Sequence, residues 1–520
     1  MVRRGGSRVD GVPRTARGPK GESGSAVVAA LAISLVLVVL VGSVTARSIG
    51  ALTGASAAHD RLEARTVAEQ VLTETMRLLD DRVVQSGSVA LDPALAARSD
   101  ARIDVEEEAD GTLAVRVEVR VGVAVASASA RLRPRSVADL ALLTESRARD
   151  PMLRGRPRMS CTWPLGDPRR DALCEDMPLL SGPIGGPVHS NDPVHLDPAS
   201  QPPRSVTSSA VGVPDRSHRP QVSLPRDVRA VLGGEPPTCR FRGPTLLRFD
   251  GPRVRVTSPR SVPRADEPAG PDAAIDCLGV DRAELDGVVV VDLPSRAVIE
   301  IVDDESDDCV LHPLGLGRTE DLERDWRCDA GDAFVWGRYH EARTVLAAGS
   351  IQVVWDLEPG DASGPRPLQS GDVLGLVAGD SVVLRRPLGL DPLTLQMAPV
   401  PFAGPGVPPF GAHPLDAPNP TVQPWEEPRI VAAIAALRGS LAPQNVRHGP
   451  APSAATTVIG SVAGRFAPAM NPVGAIESDP SPVGRFHLEL VHDPRFDRFP
   501  PPAMPHIDGG RLRIVELDVG

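Results

Sequence analysis

The densest run of residues able to do chemistry is "VHSNDPVH", which places His189, Asn191, Asp192 and His195 within seven positions. Two imidazoles and a carboxylate are the raw material of a zinc site or a hydrolytic base. Either use needs a third ligand or an orienting partner from elsewhere in the chain. Asn and Asp also suit a tight turn, because they tolerate left-handed backbone and cap it with side-chain hydrogen bonds. The run is read as a turn, with a site as the alternative. "DDESDDC", Asp303 to Cys309, offers hard oxygen ligands for calcium but lacks the glycine and spacing of an EF-hand loop, so it is read as a solvated acidic loop. His487, His492 and His506 are scattered through the tail and are expected to pack or face solvent. "SGPIGGP" is glycine-rich, yet no Lys-Ser/Thr follows it to cradle a phosphate. Neither a G-x-S-x-G elbow nor H-E-x-x-H is present. No catalytic residues, cofactor site or metal site are therefore expected, and the chain is read as not an enzyme.

The six cysteines, Cys161, Cys174, Cys239, Cys277, Cys309 and Cys328, all follow the apolar segment described next. An even number in an exported region favours disulfides, and sequential pairing (161–174, 239–277, 309–328) is the simplest scheme because each pair is local. Free buried thiols are the alternative; a zinc site is not supported without close C-x-x-C pairs.

The elements that position these residues begin with "GSAVVAALAISLVLVVLVGSVTA", Gly24 to Ala46, which carries no charge. At about 1.5 Å per residue it is long enough to cross a hydrocarbon core of about 30 Å. Arg3, Arg4, Arg8, Arg14, Arg17 and Lys20 precede it against only Asp10 and Glu22, which predicts a cytoplasmic N-terminus and an extracytoplasmic remainder. A retained single-pass anchor is favoured over a cleaved signal or a buried core helix. The helix-forming sequence continues without proline, and Ala64, Val67, Ala68, Val71, Leu72, Met76 and Leu79 recur at three- and four-residue steps, predicting one buried stripe. Gly42, Gly50 and Gly54 mark either flexibility or close packing with a neighbouring helix.

The resulting organisation is a basic leader (1–23), a transmembrane helix (24–46), a stalk helix (47–82) and a small antiparallel β-meander (83–136). A Pro/Arg-rich connection (137–203), a β-helix-like region (204–425) and a helix with C-terminal strands and a Pro-rich tail (426–520) follow. In the meander, Asp110-Gly111 signals a hairpin, with Ile103 and Val105, then Leu113, Val115, Val117 and Val119, sharing one face at period two. Further on, "TLLRFDGPRVRVTSP", "ELDGVVVVDLPSRAVIEIVDD", "HEARTVLAAGSIQVVWDLEPGD" and "SGDVLGLVAGDSVVLRRPLG" each read as two short strands split by Gly, Asp or Pro turns. The fold class is α+β: a long helix on a small antiparallel sheet, then a β-rich region in which a parallel β-helix is favoured over a sandwich. "EEPRIVAAIAALRGS" predicts a late helix, with Pro428 early and Gly439 as its stop. A net charge of −11 and the absence of any basic stripe argue against nucleic acid as a partner.

Six ordered segments resemble PilX-like, type IV pilus-associated pilin-like membrane proteins of bacteria: "GPVHSND" (186–192), "EARTVLAAGSIQVVWDL", "DVLGLVAGDSVVL", "VAAIAALRGSLAPQN", "VIGSVAGRF" and "HDPRFDRFPPPAMP". In the last of these His492 stands where the family carries tyrosine. The resemblance implies a membrane-anchored, exported, non-catalytic protein contributing to pilus-type assembly or surface attachment. Its implied partners are the lipid bilayer, other pilin-like subunits and pilus assembly proteins, and it carries over no catalytic residues. Two alternatives stand beside it: a structural envelope protein unrelated to pili, and an anchored β-helix carbohydrate-active enzyme. The latter would need acids such as Asp286, Asp292 and Asp356 to converge within about 5 to 10 Å in one groove.

Overall fold

A computed structural model describes residues 23–81, 100–108, 112–154, 183–194, 205–209, 221–258, 288–303, 331–361, 370–385, 428–443, 456–469, 488–507 and 512–519. It also describes short pieces at 158, 161–163, 167–170, 174, 217–218, 261, 276–277, 282–285, 364–365, 368, 388–390 and 397–399.

Helix α1 (Ser23–Asp81) runs 59 residues without a break, about 90 Å at the usual rise. It has two halves. From Val28 to Leu52 its large apolar side chains are exposed, and an 18-residue window of mean hydropathy 2.6 has no buried part. Ser43, Thr45 and Thr53 in that half donate their hydroxyls to carbonyls three or four residues back, at 2.8 to 3.0 Å. Hydroxyls satisfied within the helix need no water, as a lipid-facing segment requires. From Ala64 onward the predicted stripe is covered: Ala64, Val67, Ala68, Val71, Leu72 and Leu79 are buried and Met76 is partly buried.

What covers that stripe is a four-stranded antiparallel sheet. Strands β1 (Asp100–Glu107), β2 (Leu113–Val121) and β3 (Ala124–Pro134) form the expected meander. Glu108 N donates to the Thr112 carbonyl at 2.8 Å across the hairpin; Asp110 and Gly111 themselves lie outside the described residues. Gly122, at φ +57°, turns β2 into β3. Val115, Val117 and Val119 alternate toward the helix together with Ala128, Ala130 and Leu132, the period-two pattern of a half-buried sheet. The fourth strand comes from the far end of the chain: Leu512–Val519 pairs antiparallel with β3.

The remaining principal strands are β4 (Leu142–Ser146), β5 (Pro187–Ser190), β6 (Ser205–Ser208), β7 (Cys239–Arg242) and β8 (Thr245–Gly251). These are followed by β9 (Ala297–Val302), β10 (Ala333–Tyr339), β11 (Arg343–Ala347), β12 (Ile351–Asp361) and β13 (Leu374–Ala378). Last come β14 (Val382–Leu384), β15 (Arg429–Ala436), β16 (Leu441–Pro443), β17 (Thr456–Phe466) and β18 (Leu488–Val491). They pair in two parallel ladders. One runs β7-β9-β11-β13-β15-β17-β4-β5-β6, and the other β8-β10-β12-β14-β16. In the first, Cys239, Ile299, Val345, Leu376, Ile434, Val462, Leu142 and Val188 stand in register as one apolar column. The ladders thus start inside 137–203 and, through β18 beside β17, extend past 425.

Arg429–Ala436 is a strand, where the sequence predicts a helix. Ile430, Ala432 and Ile434 point into the main core, while Ala433 and Ala435 face a second cluster with Phe496 and Met504. A strand buried on both faces carries no polar alternation, and its alanine-rich run then imitates a helix. The Pro-rich tail forms the lid of that second cluster, with Met504 and Ile507 buried in it and Thr344 Oγ1 donating to the Pro502 carbonyl. Where tail and sheet meet, buried Arg133 is ion-paired with Asp139 and donates to the Phe496 carbonyl at 2.9 Å. Arg513 reaches Asp139 at 2.9 Å and Asp497 at 2.8 Å.

Candidate functional site

Residues 189–192 follow the parallel ladder at β5, where Leu143 is opposite His189 and Thr144 opposite Ser190. Buried His189 places Nδ1 2.8 Å from Thr207 Oγ1 and Nε2 3.3 Å from Ser209 Oγ. Asn191 clamps a separate loop, donating to the Val222 carbonyl at 2.7 Å and accepting from Val222 N at 2.9 Å. Asp192 accepts from Arg147 N at 2.9 Å and from Arg170 at 3.0 Å. Each polar group of this run is thereby engaged in holding neighbouring segments together; His195 lies outside the described residues. Among the described residues no group of three or more His, Cys, Asp or Glu is placed to hold a metal ion.

His492 Nε2 lies 3.1 Å from the Ala138 carbonyl, exposed His506 forms an isolated antiparallel backbone bridge with buried Ser136, and His487 lies outside the described residues. Two cysteine pairs match the sequential scheme: Cys161–Cys174, with Cα atoms 5.6 Å apart, and Cys239–Cys277, at 4.1 Å. Cys309 and Cys328 lie outside the described residues, as do Asp304 to Asp308 of the acidic run and Asp286.

Of the strand-flanking acids, Asp292 is exposed and ion-paired with Arg253 at 2.8 Å. Asp356 sits elsewhere, in a cavity of about 370 Å³ on the outer side of β8, β10 and β12. Trp336, Trp355, Asp250, Asp356, Glu358 and Asp361 line it, and Arg248 and Arg338 complete its wall.

The backbone explains why these side chains meet. Arg248 stands opposite Trp336, and Asp250 opposite Arg338. Between β10 and β12 the register slips: Val335 faces Val353, but Gly337 faces Leu357. Trp336 alone therefore spans the positions of Val354, Trp355 and Asp356, and this bulge carries Trp355 and Asp356 to the cavity wall. Gly337 takes φ +109°, and a Cβ there would lie 2.2 Å from the Phe249 carbonyl oxygen. Only glycine fits. Trp336 is seated among Leu246, Phe334 and Val354, with the Arg385 guanidinium 5.5 Å from the Phe334 ring centre. Arg429 fixes two of the acids, its N–H donating to Asp356 at 2.8 Å and its guanidinium pairing with Glu358 at 3.2 Å. Asp250 lies 3.6 Å from Arg255. Sequence reasoning reached Asp356 alone of this group; "FVWGRY" and "VVWDLEPGD" supply the rest, but nothing in their spacing announces the bulge.

No family model and no curated protein matches the chain. Among solved structures it is similar to the competence-associated pilin ComZ from Thermus thermophilus, at 12% identity and a TM-score of 0.28, over 84% of this chain and 87% of that one. A likeness that slight carries no argument about fold or role.

Proposed function

We propose that the protein is a single-pass membrane-anchored, exported, pilin-like component of type IV pilus-type assembly or surface attachment, without a catalytic role. One observation carries this: a single continuous helix whose first half exposes its large apolar side chains from Val28 to Leu52, while its second half is packed under an antiparallel sheet. A helix of that length left bare in water would be penalised by about 25 cal/mol for each Å² of exposed apolar surface, so the bare half requires lipid or other helices around it. The basic leader supports a cytoplasmic N-terminus, with the strand-rich body on the opposite side. Gly50 and Gly54, four residues apart with nothing within 4 Å, leave a flat strip against which a neighbouring helix fits. The paired strands β7/β8, β9/β10, β11/β12, β13/β14 and β15/β16 each add one strand to each ladder, which favours a parallel β-helix for the exported body. The hydrogen bonds that occupy His189 and Asp192 favour a non-catalytic role for "VHSND".

N-terminal sequencing of the protein recovered from membranes tests the anchor. A mature chain that retains the apolar run supports it, and one that begins after Ala46 overturns it. Co-purification with pilus assembly proteins separates a pilus component from a structural envelope protein: their absence, with normal piliation in a deletion strain, would favour the latter.

A further inference from the structure

We propose that the cavity beside β8, β10 and β12 binds a neutral oligosaccharide. This names a ligand class for the surface-attachment half of the function proposed above, and it rests on that reading only for its biological purpose, since the cavity's geometry is independent of the anchor.

A pyranose presents an apolar C–H face and a rim of hydroxyls. It is held where a flat aromatic surface meets planar acceptors and donors, and the cavity supplies all three. Trp355, only partly buried, furnishes the aromatic surface, with the edge of buried Trp336 beside it; Asp250, Asp356, Glu358 and Asp361 furnish acceptors; Arg248 and Arg338 furnish forked donors. Its volume of about 370 Å³ falls at the lower end of ligand pockets, which run from about 300 to 1,000 Å³. The four carboxylates are matched by the guanidiniums of Arg248 and Arg338 in the wall and of Arg255 and Arg429, which pair with Asp250 and Glu358, so the site has no net charge of either sign to draw in a polyanionic sugar or a cationic chain. Neutral hydroxyls satisfy both sets of groups.

The site is also held in place before any ligand arrives. Trp336 is itself buried by Leu246, Phe334 and Val354, and Arg429 orients Asp356 and Glu358. The bulge that presents Trp355 and Asp356 interrupts the register of a ladder that is otherwise regular, and a glycine in positive φ, Gly337, stands where pairing resumes. Such an interruption breaks the regular pairing of the ladder. It re-aims side chains instead.

The test uses the full chain in detergent micelles, titrated calorimetrically and by tryptophan fluorescence with cellohexaose, maltohexaose and chitohexaose. Hexagalacturonate serves as the polyanion and hexa-arginine as the cationic peptide. At least one neutral oligomer is expected to bind, with quenching or a blue shift of the indole emission. Trp355→Ala should weaken binding about tenfold, with an unchanged circular dichroism melt as the check on folding. Should that variant misfold, Asp361→Asn takes its place, with a several-fold loss expected. The proposal is overturned if no neutral oligomer binds, if hexagalacturonate or hexa-arginine binds more tightly, or if a folded variant binds as well as the parent. Binding in micelles does not depend on membrane topology, so failure here leaves the anchor standing, and a cleaved N-terminus leaves this result intact.

Discussion

Leu72 and Leu62 lie on the same helix and differ in one respect. Leu72 is 1% exposed beneath the four-stranded sheet, whereas Leu62 is 66% exposed. Leucine and alanine have nearly equal helix propensity, so truncating either leaves the helix itself almost unaffected. Any difference between the two substitutions must then come from packing. Leu72→Ala removes a buried side chain and leaves a cavity, costing about 2 to 5 kcal/mol. Leu62→Ala should fall within about 0.5 kcal/mol of the parent. The assay is amide hydrogen exchange of peptides covering 64–79 in the detergent-solubilised full chain. A loss of 2 kcal/mol or more in opening free energy accelerates exchange by about thirtyfold or more, whereas 0.5 kcal/mol gives about twofold. Equal, small effects from both substitutions would refute the packing of the lower helix on the sheet, and with it the division of α1 into a bare half and a docked half.

Gly337→Ala forces a Cβ to within 2.2 Å of the Phe249 carbonyl at φ +109°; a loss of about 1 to 3 kcal/mol is expected, read as a lower midpoint in denaturant. Glu145, with its side chain 14% exposed beside Arg465, has its pKa raised above 4.5, chiefly by burial, with Arg465 and the Leu224 N–H opposing. Its folded-state pKa exceeds the unfolded one, so its contribution is full below pH 4.5 and is lost as pH rises through the folded value. The melting temperature of the parent relative to Glu145→Gln should therefore rise as pH falls from neutral toward 4.5. A pH-independent difference would contradict this. Replacing Cys161 and Cys174 together by serine opens a loop with a sequence separation of 13, and a loss of about 3 kcal/mol in local stability is expected, measured by hydrogen exchange around residues 158–174.

Local pattern made much of this architecture readable in the sequence. The three- and four-residue steps from Ala64 to Leu79 are the stripe that the sheet covers. The alternation around Asp110-Gly111 is the β1–β2 hairpin, and the Gly, Asp and Pro breaks divide β11 from β12 and β13 from β14. Legibility failed where distant partners decide. Leu512–Val519 is legible as a C-terminal strand, but its partner is not: it pairs with β3 because this segment returns across the Arg133–Asp139–Arg513 seam. β4 joins the ladder after β17, residues more than three hundred positions later in the chain, as Leu142 opposite Val462 shows. "RIVAAIAA" misled because two separate cores take its alternate residues, and tertiary burial overrides alanine's helix propensity. The cavity was hidden for a related reason. Its residues are brought together by a count of residues across a bulge, not by a motif.

Proteolysis of intact spheroplasts carrying the full chain with an N-terminal tag tests most directly whether α1 crosses the bilayer once. The outcome expected is digestion of the strand-rich body, leaving a short tagged fragment that contains residues 24–46 and stays with the membrane. A full-length chain protected from external protease, or a tagged fragment released into the soluble fraction, would contradict it.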